Sequence, residues 1–154
     1  MLPRGALLAV DVGTVRIGVA ACGAERILAY PVTTLAADQD WVGAIVGLAD
    51  EHAAQAVVVG YPLALNGSAS IAAEKVRAQA VQLARRLPVP VWLVDERMTT
   101  AQAHRRLRES GRHAKTARGV IDAQAAVGIL ESVLRAEEQG RATGIKLQME
   151  ETDG

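Results

Sequence analysis

Residues 7–21 contain two short β-prone apolar runs joined at Gly13, and the first run carries a carboxylate, Asp11, near its end. Side chains alternate between the two faces of a strand, so this carboxylate shares its face with apolar neighbours. Burying an unpaired carboxylate is costly. A backbone turn, an arginine such as Arg16, or a divalent cation with oxygen ligands can compensate the charge. The chain must therefore fold around a strand, a turn and a strand that accommodate Asp11.

The hairpin residues alone are compatible with two interpretations, a structural turn and a ligand site. Asp and Gly are ordinary turn formers, so a structural hairpin explains both residues. Gly13 also lacks a Cβ, which lets a phosphate or a metal-bound oxygen come close to the backbone. The remainder of the chain has to distinguish a turn from a ligand site.

The order of the later elements predicts an α/β fold. After the hairpin we predict a third β-rich run at 27–34, a helix from Asp40, a strand at 56–59, a helix at about 70–87, a strand at 91–94, and helices at about 99–110 and 120–139. Strands linked through helices pair in parallel by right-handed crossovers. We therefore predict a mixed five-stranded sheet, antiparallel in its first three strands and then parallel, with helices on its faces.

Length and composition indicate one domain in a reducing compartment. The chain has 154 residues, half of them hydrophobic, and no Phe, so its core must consist of Ala, Val, Leu and Ile. A single cysteine, Cys22, cannot form an internal disulfide, and no stretch approaches the ~20 apolar residues of a membrane span. We expect a soluble cytoplasmic protein with a domain at 1–139. The polar tail at 140–154 should be dispensable for folding, although its alternation at 145–149 could pair with a sheet edge.

Basic residues are concentrated in one segment, although the 17 basic and 17 acidic residues balance. The basic segment, residues 97–118, contains Arg97, Arg105, Arg106, Arg108, Arg112, Lys115 and Arg118 against the single acid Glu109. Such asymmetry is typical of a surface that binds a polyanion, while a solvated face is the plainer interpretation. We interpret residues 111–119 as a mobile loop because they are flanked by glycines and lack periodicity.

Three acids occupy comparable positions in the predicted fold. Asp11 lies at the end of the first strand, and Glu96 follows the last strand, where a parallel sheet directs side chains into a ligand crevice. Asp122 opens the final helix seven residues before Ile129, on its apolar stripe, and should face the sheet. Each acid alone has a structural explanation as a turn, strand-end or first-turn residue. Together, three converging carboxylates are hard oxygen ligands suited to Mg²⁺ or Mn²⁺.

Four segments, taken in order, resemble the YqgF (RuvX) family of the ribonuclease H-like superfamily, whose members are Holliday-junction-resolvase-like proteins and nucleases of pre-16S rRNA processing. They are Asp11-Val12-Gly13 with Arg16-Ile17-Gly18, Gly60-Tyr61-Pro62 with Asn66-Gly67-Ser68, Asp95-Glu96-Arg97 with Thr99-Thr100, and Val120-Ile121-Asp122 with Ala125-Ala126. The resemblance covers residues 7–134. It implies a ribonuclease H-like fold and a hydrolase that cleaves phosphodiester bonds in structured nucleic acid, either at the 5′ end of pre-16S rRNA or in branched DNA.

The resemblance also implies roles for individual residues. Asp11, Glu96 and Asp122 would be the catalytic acids and would bind Mg²⁺ or Mn²⁺, with two ions activating water and stabilising the leaving oxygen. Phosphates of the nucleic acid would be held by Arg16, Arg97, Arg105, Arg108, Arg112, Lys115 and Arg118. Aromatic residues make up only 3% of the chain, so recognition should favour backbone and shape over base identity.

Two other functions are compatible with parts of this pattern. A non-catalytic nucleic-acid-binding or ribosome-assembly protein could keep the fold with a weak site. The stretch at Asp11 also resembles the phosphate-binding turn of actin-like sugar kinases, but those enzymes close ATP between two related domains and this chain has room for one. The choices between RNA and DNA, Mg²⁺ and Mn²⁺, and monomer and homodimer stay open at this stage.

Overall fold

The computed structural model describes residues 2–63, 66, 70–98, 115–141 and 144–147, and the side chains of residues 98 and 115–122 lie outside this description. The strands are β1 (Ala6–Val12), β2 (Arg16–Cys22), β3 (Ala29–Ala36), β4 (Ala54–Tyr61), β5 (Val91–Asp95) and β6 (Ile145–Lys146). The helices are α1 (Trp41–Glu51), α2 (Ile71–Arg86) and α3 (Lys115–Glu138), and a 3₁₀ turn at Glu96–Met98 follows β5.

The strands form one mixed sheet in the order β3-β2-β1-β4-β5-β6. Strands β1, β2 and β3 are antiparallel neighbours, β4 is parallel to β1, and β5 is parallel to β4. This confirms the predicted antiparallel start and parallel continuation. The carboxyl ends of β1, β4 and β5 consequently lie side by side at one edge of the sheet.

The described residues form six strands instead of the five that we predicted. Ile145–Lys146 pairs antiparallel with β5, opposite Leu93 and Trp92, and the backbone N–H of Leu147 donates to Val91 O at 2.9 Å. Leu147 is buried, with 6% of its surface exposed. The alternative noted for the tail, that its alternation pairs with a sheet edge, is therefore confirmed for Ile145–Lys146, which cover the open edge of β5.

The two faces of the sheet bury separate apolar clusters. On one face α1 and α2 cover side chains that include Val10, Val59 and Leu93. On the other face α3 covers the alternate residues of the same strands, among them Ala9, Val58 and Trp92. This division follows from the two-residue period of a strand, and we call the second side the α3 face.

Capping side chains define the first two helices where the sequence predicts them. The carboxylate of Asp40 accepts from Gly43 N at 3.1 Å at the start of α1, and the hydroxyl of Ser70 accepts from Ala73 N at 3.2 Å at the start of α2. Such caps satisfy amides that lack an intrahelical partner. Both helices thus begin where a local signal specifies it.

Helix α3 begins earlier than expected. The interpretation of residues 111–119 as a loop is wrong for 115–119, which are helical. Lys, Ala and Arg are good helix formers, so this stretch can extend the buried helix that follows despite Gly119, whose cost in a helix is about 1 kcal/mol. The predicted helix at 99–110 and the rest of the basic segment up to residue 114 lie outside the described residues. Within the described part of the chain, no helix is both long and apolar enough to span a bilayer.

We expect Asp40→Asn to lower stability at neutral pH and to have less effect in acid. Arg86 at the end of α2 donates to Asp40 at 2.9 Å, and this hydrogen bond lowers the pKa of the carboxyl. The folded pKa lies below the unfolded one, so the stabilisation is complete above about pH 4 and is lost as the pH falls through the folded pKa. Asparagine caps a helix about as well as aspartate, so the comparison isolates the charge.

The measurement is the urea midpoint of both proteins at pH 7 and pH 3. Arg86→Gln, which removes the other charge, should reproduce the loss at pH 7. Equal differences between wild type and Asp40→Asn at both pH values would contradict an ionic contribution.

Candidate functional site

Asp11 occupies the α3 face at the carboxyl end of β1. Leu7 and Ala9 of the same strand belong to the cluster beneath α3, and the two-residue period places Asp11 on that side. The residue is fully buried. Its register partner in β2 is Gly18, which adds no side chain beside it. The sequence thus places a charged group inside the core at the end of a strand, as predicted.

Glu96 reaches the same face from the 3₁₀ turn after β5. Val94, two residues earlier, packs beneath α3, and Glu96 is itself fully buried. These are the two charged residues that are buried among those whose side chains the structure describes. Since β4 lies between β1 and β5, the two acids enter the core on either side of one strand.

Asp95 and Arg97 fix the turn that carries Glu96. Asp95 Oδ1 accepts from the backbone N–H of Arg97 at 2.9 Å, and Arg97 Nη2 donates to Asp95 Oδ2 at 2.6 Å. The Arg97 guanidinium lowers the pKa of Asp95, and Asp95 raises the pKa of Arg97. The pair closes a short loop around Glu96, so part of the positive charge of Arg97 is already neutralised by this contact.

The Glu96 carboxylate lies against Gly60. Gly60 belongs to β4, the strand between β1 and β5. A Cβ placed on Gly60 would collide with Glu96 Oε1, would lie 3.0 Å from Glu96 Cδ, and would lie 2.5 Å from Ile129 Cδ1 on α3. The space beside this glycine is therefore filled by the carboxylate and the isoleucine. Sequence reasoning did not assign Gly60 to the site, although a glycine that ends a run of buried valines is a signal of close approach.

The third predicted acid is placed only along the chain. Position 122 lies within α3, seven residues before the fully buried Ile129, and its side chain is outside the description. Among the described side chains, no group of three Asp, Glu, His or Cys residues is arranged to hold a metal. The convergence of Asp122 with Asp11 and Glu96 stays a prediction. Two buried carboxylates are nonetheless the oxygen donors that Mg²⁺ and Mn²⁺ prefer.

The predicted phosphate-binding residues are only partly placed. Arg16 is half-buried at the start of β2, beside the turn in which Gly13 N donates to Arg16 O at 3.0 Å. Arg97 lies at the same sheet edge, bound to Asp95. Arg105, Arg108 and Arg112 lie outside the described residues, as do the side chains of Lys115 and Arg118, whose backbones belong to α3.

Comparisons with protein families identify close relatives of this chain. A family model described as "RuvX: Holliday junction resolvase" matches residues 5–136. A protein of Streptomyces avermitilis is 49% identical over 146 residues, which is 92% of this chain and 93% of that protein. A protein of Mycolicibacterium smegmatis is 45% identical over 157 residues, covering 98% and 90%. Both relatives carry the name "Putative pre-16S rRNA nuclease".

Solved structures share the fold at low sequence identity. The RuvC protein of Thermus thermophilus in complex with a Holliday junction substrate superimposes with a TM-score of 0.51 and 15% identity, over 94% of this chain and all of that chain. A second T. thermophilus RuvC structure gives a TM-score of 0.51 and 16% identity, over 92% and 99%. The predicted ribonuclease H-like architecture is thereby confirmed.

Proposed function

This chain belongs to the RuvX family, and we propose that it is a metal-dependent nuclease that hydrolyses phosphodiester bonds in structured nucleic acid. The observation that carries the proposal is the pair of fully buried carboxylates, Asp11 and Glu96, on either side of β4 on the α3 face. Two like charges held in a core repel each other, and a cation bound between them would relieve that repulsion. A purely structural turn would not require that both carboxylates be buried.

In the proposed mechanism, three acidic residues of this chain bind the metal ions. Asp11, Glu96 and Asp122 hold Mg²⁺ or Mn²⁺ through carboxylate oxygens. When bound, two such ions supply an activated water and a positive charge for the leaving oxygen. Asp11 lies near the end of β1 and Glu96 in the turn after β5, and both are fully buried. Packing therefore restricts their rotamers, which would orient the oxygens before substrate arrives.

The proposed phosphate contacts come from Arg16 and the basic segment. These cations bind the strand on either side of the scissile bond, and they read the backbone instead of the bases. Arg97 contributes less to phosphate binding, because its pairing with Asp95 neutralises part of its positive charge. We propose residues 1–139 as the nuclease domain, to which the tail adds β6.

The names of the relatives and of the family point to two substrate classes. The relatives are named for pre-16S rRNA, and the family model for the Holliday junction. The test is a cleavage assay with purified protein, using an RNA that spans the 5′ boundary of 16S rRNA and a four-way DNA junction, each with Mg²⁺ and with Mn²⁺. Cleavage that requires the metal and stops with EDTA supports the proposal. Tight binding of either substrate without cleavage under both metals would instead favour a binding protein.

We expect Arg112→Ala combined with Lys115→Ala to weaken substrate binding and to flatten its salt dependence. Each lost phosphate contact should lower the log-log slope by roughly one, because fewer counterions are released. Turnover at saturating substrate should stay close to that of the wild type.

The matched control is Lys75→Ala combined with Arg77→Ala. These residues are exposed on α2, which covers the opposite face of the sheet. The control should leave the slope unchanged. The same slope for wild type and the Arg112 and Lys115 double variant would contradict a role for this region in tracking the backbone.

A further inference from the structure

Gly60 occupies a place in the sheet where an ordinary strand residue would carry a side chain. It pairs with Val94 of β5, and the preceding Val58 and Val59 are fully buried. Its φ lies outside the left-handed region, so its backbone is one that any residue could adopt. Glycine weakens a strand because it loses more conformational entropy on folding. The backbone conformation of β4 therefore does not explain why residue 60 is a glycine. The explanation is the space that glycine, having no side chain, leaves free.

The missing side chain determines how near the two buried acids can come to each other. Strands β1 and β5 are both neighbours of β4, so their backbones are two strand spacings apart, about 10 Å. Carboxylates from strands this far apart can bind a common cation only if one of them crosses the strand between. The Glu96 carboxylate does lie over β4, in the space where a Cβ of residue 60 would be.

Helix α3 closes this space from the other side. Ile129 Cδ1 would lie 2.5 Å from the same Cβ, so the carboxylate and the isoleucine share the volume above Gly60. Both residues are fully buried. The contacted atoms are the outer ends of two side chains, so a methyl group would displace these ends and leave the backbone in place. Because both side chains are fully buried, the packing between α3 and the sheet must absorb that displacement.

We propose that Gly60 is a positioning residue for Glu96: its lack of a side chain holds the carboxylate over β4, towards Asp11, with Ile129 packed behind it. The collision between a side chain at position 60 and the Glu96 carboxylate follows from the geometry alone. Its consequence for metal binding rests on the proposed function. Gly60 would act through Glu96, since it has no side chain of its own to bind a metal or a substrate.

The first test is Mn²⁺ binding by calorimetry to wild type and Gly60→Ala. The added methyl displaces the carboxylate, so we expect the Mn²⁺ affinity to fall at least about tenfold. The matched control is Gly47→Ala on α1, where residue 47 is exposed and a Cβ meets nothing within 4 Å. This control should bind Mn²⁺ as the wild type does and should unfold at the same or a higher temperature.

Two further variants distinguish the specific collision with Glu96 from a general loss of stability. Gly60→Ala with Ile129→Val removes the Cδ1 contact, so it should recover unfolding temperature relative to Gly60→Ala but little Mn²⁺ affinity. Gly60→Ala with Glu96→Asp withdraws the carboxylate by one methylene. Glu96→Asp should therefore cost less in the Gly60→Ala background than in the wild type, both in unfolding temperature and in Mn²⁺ affinity.

The outcomes distinguish this proposal from the proposed function. Wild-type Mn²⁺ affinity in Gly60→Ala, or additive effects at positions 60 and 96, would overturn the positioning role. If the wild type binds no Mn²⁺, the metal part of the proposed function fails. The positioning role is then judged on the unfolding temperatures without metal, where the collision persists and coupling between positions 60 and 96 is still required.

Discussion

Asp11→Asn is expected to abolish metal-dependent cleavage while leaving the metal-free protein as stable as the wild type, or more stable. Asp11 and Glu96 place two like charges in a buried region, and removing one relieves their repulsion. The amide keeps nearly the same shape and can still form most turn hydrogen bonds. It loses the charge that would hold a divalent cation in the proposed site. A structural turn residue would behave in the opposite way, with lost stability and retained activity.

Thermal unfolding with and without Mn²⁺ separates these two cases. A ligand at about 100 times its Kd stabilises the folded state by about 2.7 kcal/mol, which for a chain of this size raises Tm by roughly 5–10 °C. The wild type should show this shift, and Asp11→Asn should show little of it. Glu96→Gln should match Asp11→Asn in both activity and metal response.

The control is Asp50→Asn, an exposed residue of α1 far along the chain from the proposed ligands. It should keep both cleavage and the Mn²⁺ shift. An Asp11→Asn protein that is destabilised, still stabilised by Mn²⁺ and still active would overturn the assignment of this site.

The positions of Asp11 and Glu96 could be predicted because they follow from local rules. Strand period gives the face of each residue, and the crossover rule brings the carboxyl ends of β1, β4 and β5 to one edge. Both rules act on patterns that one sequence displays. The mixed sheet and the placement of both acids at this edge are therefore correct without any knowledge of side-chain contacts.

The role of Gly60 could not be predicted because it depends on three elements at once. The register of β4 against β5 places Gly60 beside Val94. The turn after β5 directs Glu96 back over the sheet, and the distance between α3 and the sheet determines how close Ile129 comes to Gly60. None of these is encoded in a short window of sequence. The pairing of Arg97 with Asp95 is different, since residues two apart in a tight turn can meet, and the prediction considered Arg97 only as a phosphate ligand.

Composition and local pattern point in opposite directions for the tail, and the structure bears out the alternation at 145–149 in Ile145–Lys146. Most of residues 140–154 are polar, and polarity over a long window indicates weak packing. Short edge strands escape such averaging, since a single apolar residue can join the core while its neighbours stay exposed. Here Leu147 packs into the cluster beneath α1 and α2, while Ile145 keeps 62% of its surface exposed.

Leu147→Ala should therefore destabilise the protein by about 2 kcal/mol, near the lower end for a buried leucine because the segment beside a two-residue edge strand can relax into the cavity. For a chain of this size the corresponding fall in Tm is about 4–8 °C. Ile145→Ala, two residues earlier in β6, is the matched control and should lower Tm much less because Ile145 is exposed.

Two truncations test whether the backbone pairing matters in addition to Leu147. Removal of residues 148–154 leaves β6 and its hydrogen bond from Leu147 N to Val91 O, so Tm should stay close to that of the wild type. Removal of residues 141–154 also deletes β6 and reopens the edge of β5, so it should lower Tm at least as much as Leu147→Ala does. If the longer truncation unfolds at the wild-type temperature, β6 contributes nothing to stability, and the domain ends at residue 139 as the sequence alone suggests.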